Sequence, residues 1–174
     1  VLALYLGGAR SGKSALAEAA AIEAEQQGMK VVYVATATPS RSMAARIALH
    51  QQRRPLTWRC VEEPLALAQL LTEANANAVI LVDCLTLWLT NQLLADADLA
   101  LEQQRLLTAL AVTPASVLLV TTEVGHSLIP DDPLSQAFVV AAGELHQAIA
   151  ALADQVHWCV GGFATELKAG SDQR

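Results

Sequence analysis

Five short runs of branched and apolar residues recur along the chain, at 2–6, 31–35, 79–82, 117–121 and 156–160, and each reads as a buried strand. Between them lie stretches rich in Ala, Leu, Glu and Gln, notably 14–27, 43–53, 64–74, 99–111 and 134–153, which are strong helix formers of helical length. Strand and helix therefore alternate, which predicts an α/β fold with a mainly parallel sheet, helices on both faces and ligands at the carboxyl ends of the strands. The punctuation agrees: Gly28 stands where a helix C-terminal cap belongs, Pro55 follows the second helix, and Pro64 suits a first helical turn. Residues 57–61 add a short extra strand.

The turn between the first strand and the first helix carries the chemistry. Gly7, Gly8, Ala9, Arg10, Ser11, Gly12, Lys13 and Ser14 fit GxxxxGK[ST], flanked as that pattern requires by a strand and a helix, so the fold is expected to be of the P-loop NTPase type. Small residues let the backbone wrap phosphate oxygens, N–H groups at the helix N-terminus point at the anion, Lys13 reaches the outer phosphates, and the Ser14 hydroxyl is placed to ligate magnesium. Arg10 is either a phosphate or second-substrate contact or a solvated loop residue. Asp83 ends the run 79–82 at the carboxyl edge of a strand, where a second carboxylate can hold the magnesium shell. Glu123 ends the next strand in the same way and is a further candidate, for magnesium or as a base toward a substrate hydroxyl. The Asn-Lys-x-Asp signature of regulatory GTPases and the HRD and DFG sequences of protein kinases are absent.

Composition narrows this only a little. The 174 residues, 53% hydrophobic, suffice for one sizeable core and suggest a single domain over 1–174. No run approaches the ~18 apolar residues of a membrane span. The opening Val-Leu-Ala-Leu-Tyr-Leu has no basic region ahead of it and leads directly into the loop, so a cytoplasmic protein is expected. A formal net charge of -6 gives no support to nucleic acid as a partner, yet is compatible with a triphosphate held by backbone N–H groups, one lysine and magnesium. Cys60, Cys84 and Cys159, odd in number and far apart, read as small buried apolar side chains, and His126, His146 and His157 lack metal-ligand spacing.

His50 lies in a basic stretch. If 43–53 is helical, Arg46, Arg53 and Arg54 fall at i-4, i+3 and i+4 from it and share its face, a surface suited to a triphosphate that favours the neutral, nucleophilic imidazole by like-charge repulsion. A solvated basic helix face has the same spacing, and spacing alone leaves the two open.

The sequences GGARSGKS, YVATA at 33–37, MAARIALHQQRRPLTWRCVEEP at 43–64, DCLTLWLTN at 83–91, TEVG at 122–125, IPDDPLSQAF at 129–138 and G-x-LHQ-x-IA-x-LAD-x-V from Gly143 resemble, in order and spacing, the bifunctional adenosylcobinamide kinase / adenosylcobinamide-phosphate guanylyltransferase family of cobalamin biosynthesis. The resemblance covers almost the whole chain. It implies phosphorylation of the cobinamide aminopropanol hydroxyl by ATP or GTP with magnesium, then transfer of GMP from GTP to that phosphate through a guanylylated histidine. His50 falls at the family's nucleophile position, Lys13 and Ser14 at its phosphate-loop pair, and Asp83 at the acidic residue before Cys-Leu-Thr. A corrinoid partner and a homo-oligomer, a trimer, are implied as well. The chain departs from the family pattern at Arg41 and Ser42, at Thr122, over 126–128, and over 139–142, changes that gather on the acceptor side. A kinase without guanylyl transfer and a non-catalytic nucleotide-binding module are the competing readings.

Overall fold

A computed structural model describes residues 1–38, 52, 54–126 and 128–170. Seven strands form one sheet in the order β3-β2-β4-β5-β1-β6-β7, with β1 (Leu2–Gly7), β2 (Lys30–Ala35), β3 (Arg59–Glu62), β4 (Ala78–Asp83), β5 (Ser116–Thr122), β6 (Gln155–Val160) and β7 (Phe163–Lys168). The strand pairs are parallel except β6 with β7, which is antiparallel. The expected parallel α/β sheet is what forms.

Alternation along each strand sorts side chains into two cores, because successive Cβ atoms point to opposite faces. Leu2 and Leu4, Ile80 and Val82, Val117 and Leu119 enter one core. Ala3 and Tyr5, Val79 and Leu81, Leu118 and Val120 enter the other. Both faces are covered, so the central strands are apolar throughout instead of alternating with polar residues. The second core is closed by α1 (Lys13–Gln26), whose Ala17 and Ala21 allow close approach to the sheet. The first is closed by α2 (Leu67–Thr72), α3 (Leu85–Leu94), α4 (Leu99–Val112) and α5 (Pro133–Leu152).

Local signals set the helix ends. Asp98 and Asp132 cap α4 and α5 by accepting from Leu101 N and Ser135 N, and Pro133 opens α5 where a missing N–H costs nothing. Gly28, at φ +92, takes the left-handed conformation that ends α1. Three expectations change. The helix expected over 64–74 is the shorter α2, with Pro64 ahead of it. Helix α3 follows β4 almost without a break in a stretch apolar nearly all round, which hides helical periodicity. Strand β7 is exposed at every position, so no apolar run announces it. The helix expected over 43–53 lies outside the described residues except for Gln52.

Candidate active site

The phosphate loop is shaped by two glycines that cannot be replaced without displacing backbone. A Cβ on Gly7 would stand 2.5 Å from Ser11 Oγ and 2.6 Å from Cys159 O. Gly12, at φ +89, would bring a Cβ within 2.8 Å of Gly162 Cα in the β6–β7 turn. That turn also braces the loop, since Gly162 N donates to Ser11 O at 2.8 Å. Inside the loop Ser11 N donates to Gly8 O at 3.3 Å, and Lys13 Nζ donates to the same carbonyl at 3.0 Å, which holds the ammonium over the loop. Arg10 is exposed and takes a left-handed φ of 56.

Two features suit this cradle to an anion. Helix α1 begins at Gly12 with no side-chain cap and no acidic residue in its first turn, so its leading N–H groups keep their capacity for a ligand. The buried Ser11 hydroxyl has no hydrogen-bond partner, an unmet requirement of the sort a phosphate oxygen satisfies.

Asp83 ends β4, in register with Ala35 of β2 and Val120 of β5. Its parity along β4 matches Val79 and Leu81, which face α1, so the carboxylate looks to the side of the sheet that carries Lys13 and Ser14. Oδ2 accepts the Tyr33 hydroxyl at 3.1 Å. The next peptide is clamped by Thr36, whose Oγ1 accepts from Cys84 N at 2.9 Å and donates to Cys84 O at 2.8 Å. Asn91 on α3 donates to Thr36 O at 2.8 Å and to Pro64 O at 3.1 Å. Burial pushes the Cys84 thiol up, while Lys13 is near enough for its charge to oppose the shift. The Tyr33 phenol is raised further, first by burial and then by Asp83, with Arg54 opposing, so its proton stays in place to be donated. Hard oxygens from Ser14 and Asp83 suit magnesium, which keeps most of its water and needs only one or two protein ligands beside the phosphates. Among the described residues no three His, Cys, Asp or Glu side chains gather as a metal cage.

Glu123 is tied to the loop through its backbone, N donating to Gly7 O at 2.9 Å, while its Oε1 accepts Gly125 N at 2.6 Å. Of the basic residues expected around His50, only Arg54 is described. It is not spread on an open face: its guanidinium carbon lies 3.2 Å from the Tyr33 ring centroid, its Nε 3.7 Å from Glu18 Oε1, and its side chain is 6% exposed. A guanidinium stacks well on a phenol ring, and this packing draws the side chain inward. His50, Arg46 and Arg53, with Arg41 and Ser42, lie outside the described residues.

His157 stacks on Tyr5, His126 meets Trp158 edge-on, and His146 is buried with its Nε2 2.7 Å from Thr121 Oγ1. Burial lowers the His146 pKa, against a raising influence of Glu123. Cys159 is buried as expected, Cys84 is partly so, but Cys60 is exposed because β3 is an edge strand. The residues given no role from sequence are Tyr33, Thr36 and Asn91, which lie in the stretches 33–37 and 83–91 that carry the resemblance but whose spacing does not show their partners.

Fold and loop together define a P-loop nucleotide-binding protein of the α/β class. Among solved structures, the flagellar accessory protein FlaH from Methanocaldococcus jannaschii is similar in fold, with a TM-score of 0.55 at 14% identity over 97% of this chain and 78% of that one. Two relatives are much nearer in sequence. The bifunctional adenosylcobalamin biosynthesis protein CobP of Pseudomonas aeruginosa is 49% identical over 95% of this chain and 96% of its own length, and CobU of Escherichia coli is 38% identical over 97% and 100%. The family model for cobinamide kinase / cobinamide phosphate guanyltransferase matches residues 3–167. The chain belongs to that family, as an enzyme of cobalamin biosynthesis with the two transferase activities its description states. No helix among the described residues is long and apolar enough to cross a membrane.

Proposed function

We propose that both transfers use the loop 7–14 as their triphosphate cradle, with adenosylcobinamide accepting a phosphate from ATP or GTP and the resulting adenosylcobinamide phosphate accepting GMP from GTP. The observation that carries this reading is the loop itself, with Ser11 Oγ buried and unpartnered beside an uncapped helix N-terminus. In the first reaction the aminopropanol oxygen attacks the γ-phosphorus, the nucleoside diphosphate leaves, and the alcohol proton passes to a base, for which Glu123 is the candidate at the strand end next to Gly7. Lys13 follows the negative charge on the outer phosphate oxygens. Ser14 and Asp83 would hold magnesium, which would supply charge neutralisation to the triphosphate. In the second reaction the His50 imidazole attacks the α-phosphorus of GTP, pyrophosphate leaves, and the phosphate of the acceptor then displaces the imidazole to give adenosylcobinamide-GDP. The role of His50 rests on the family resemblance and phosphate contacts from Arg10, Arg46 and Arg53 on the sequence pattern, whereas Arg54, which that pattern groups with them, is packed on Tyr33 and Glu18. A cytoplasmic setting and a homo-oligomer, a trimer, belong to the same reading.

The test is covalent labelling. GTP labelled at the α-phosphate should label the protein, and γ-labelled GTP should not. The label should be acid-labile, as a phosphorus–nitrogen bond is, and His50→Ala should lose it while still phosphorylating the cobinamide alcohol. Phosphorylation without any label would reduce the chain to a kinase, and nucleotide binding with neither product would reduce it to a binding module.

A further inference from the structure

Tyr33 is 4% exposed, and a tyrosine so placed serves by default as a core ring with its hydroxyl given any convenient partner. Here the partner is the carboxylate at the ligand-binding end of β4, 50 residues away in sequence. The ring in turn is covered by Arg54, whose guanidinium carbon lies 3.2 Å from the ring centroid and whose buried Nε makes no hydrogen bond, with Glu18 Oε1 3.7 Å away. An unmade buried N–H bond is costly, so the stacking geometry is maintained against an opposing cost. A metal-side carboxylate is useful only if its rotation is arrested, and outer hydrogen bonds commonly do this. A hydroxyl donating to Oδ2 restrains rotation of the Asp83 carboxylate and does not engage Oδ1.

From this we propose that Tyr33 is a positioning residue for Asp83, and that Arg54 holds the Tyr33 ring where it can act. The inference rests on the reading of Asp83 as the metal-side carboxylate. It gives Arg54, four residues beyond His50, a task other than the phosphate contact suggested by its sequence position. The step at which the enzyme feels these residues is metal-assisted nucleotide binding, before any group is transferred.

The experiment measures the Kd of an α,β-methylene nucleoside triphosphate, with no acceptor present, by calorimetry with and without magnesium, so that neither transfer takes place. Tyr33→Phe keeps the ring and should leave the metal-free Kd unchanged while cutting the magnesium-dependent gain in affinity about tenfold. Arg54→Met should cut it in the same direction, and the double variant should be no worse than Tyr33→Phe, since both act through one hydroxyl. A full magnesium gain in Tyr33→Phe, or losses that add in the double variant, overturns the proposal. Asp83→Asn separates the two levels. If it keeps the gain, the metal-side reading of Asp83 fails; if it loses the gain while Tyr33→Phe keeps it, only the positioning role fails.

Discussion

Gly12 and Gly162 meet with no room between them: a single carbon added to Gly12 would stand 2.8 Å from Gly162 Cα. The phosphate loop and the β6–β7 turn are thus built around each other, and the Gly162 N to Ser11 O bond closes the contact. Gly12→Ala is expected to destabilise the fold by about 1–3 kcal/mol, through the left-handed φ and the clash. It should also weaken nucleotide binding, because relief of the clash moves the loop. Chemical unfolding and nucleotide titration of the purified variant check both, and wild-type values in each would refute the packing argument.

Lys13→Ala should behave differently. Its side chain is only partly buried and its acceptor among the described residues, Gly8 O, is a carbonyl of its own loop, so the fold loses little. Loss of a charged hydrogen bond to phosphate is worth about 1.5–3 kcal/mol, or roughly 10–150-fold in Kd. An unchanged Kd with a lowered melting midpoint would be the opposite of this expectation.

Trp88 reports on the core closed by α2 to α5. It is 1% exposed and its Nε1 donates to Leu65 O at 2.9 Å, an acceptor shared with Gln92 Nε2 at the same distance. Trp88→Phe leaves Leu65 O with Gln92 and should cost on the order of 1 kcal/mol. Trp88→Ala opens a cavity in that core and should cost about 3–5 kcal/mol. Denaturant midpoints distinguish the two, and equal losses would show that the hydrogen bond outweighs the packing.

His146 supplies the pH dependence. Its pKa is lowered in the folded protein, mainly by burial, so below the ordinary value of 6.5 the unfolded chain takes up a proton that the folded chain resists. Its contribution is therefore fully present above pH 6.5 and lost as pH falls through its lower folded value. Urea unfolding at about pH 7.5 and about pH 5.5, on either side of the ordinary histidine value, should show a smaller pH-dependent loss for His146→Gln than for the parent. An identical loss in the two proteins would place the acid sensitivity elsewhere.

Much of this protein is legible in its sequence. The phosphate loop is a local object, since a glycine-rich turn between a strand and a helix depends on residues close together in the chain. The central strands announce themselves because a sheet covered on both faces needs unbroken apolar runs, and the cap at Gly28 is read within a few residues. Helix α3 is hidden for the same reason that the strands are visible, being apolar nearly all round and continuous with β4.

Only tertiary structure decided which strands are neighbours, and the finer parts of the site follow from that. Strand β4 lies between β2 and β5, which brings the Tyr33 hydroxyl to Asp83 and Thr36 to Cys84. Strand β1 lies between β5 and β6, which sets Glu123 beside Gly7 and the Gly162 turn against Gly12. Hydrophobic pattern determines which faces are buried but is the same for any order of strands. The order emerges only when helices, crossovers and side-chain volumes are packed together, and so the partners of Asp83 could not be read from the residues around it.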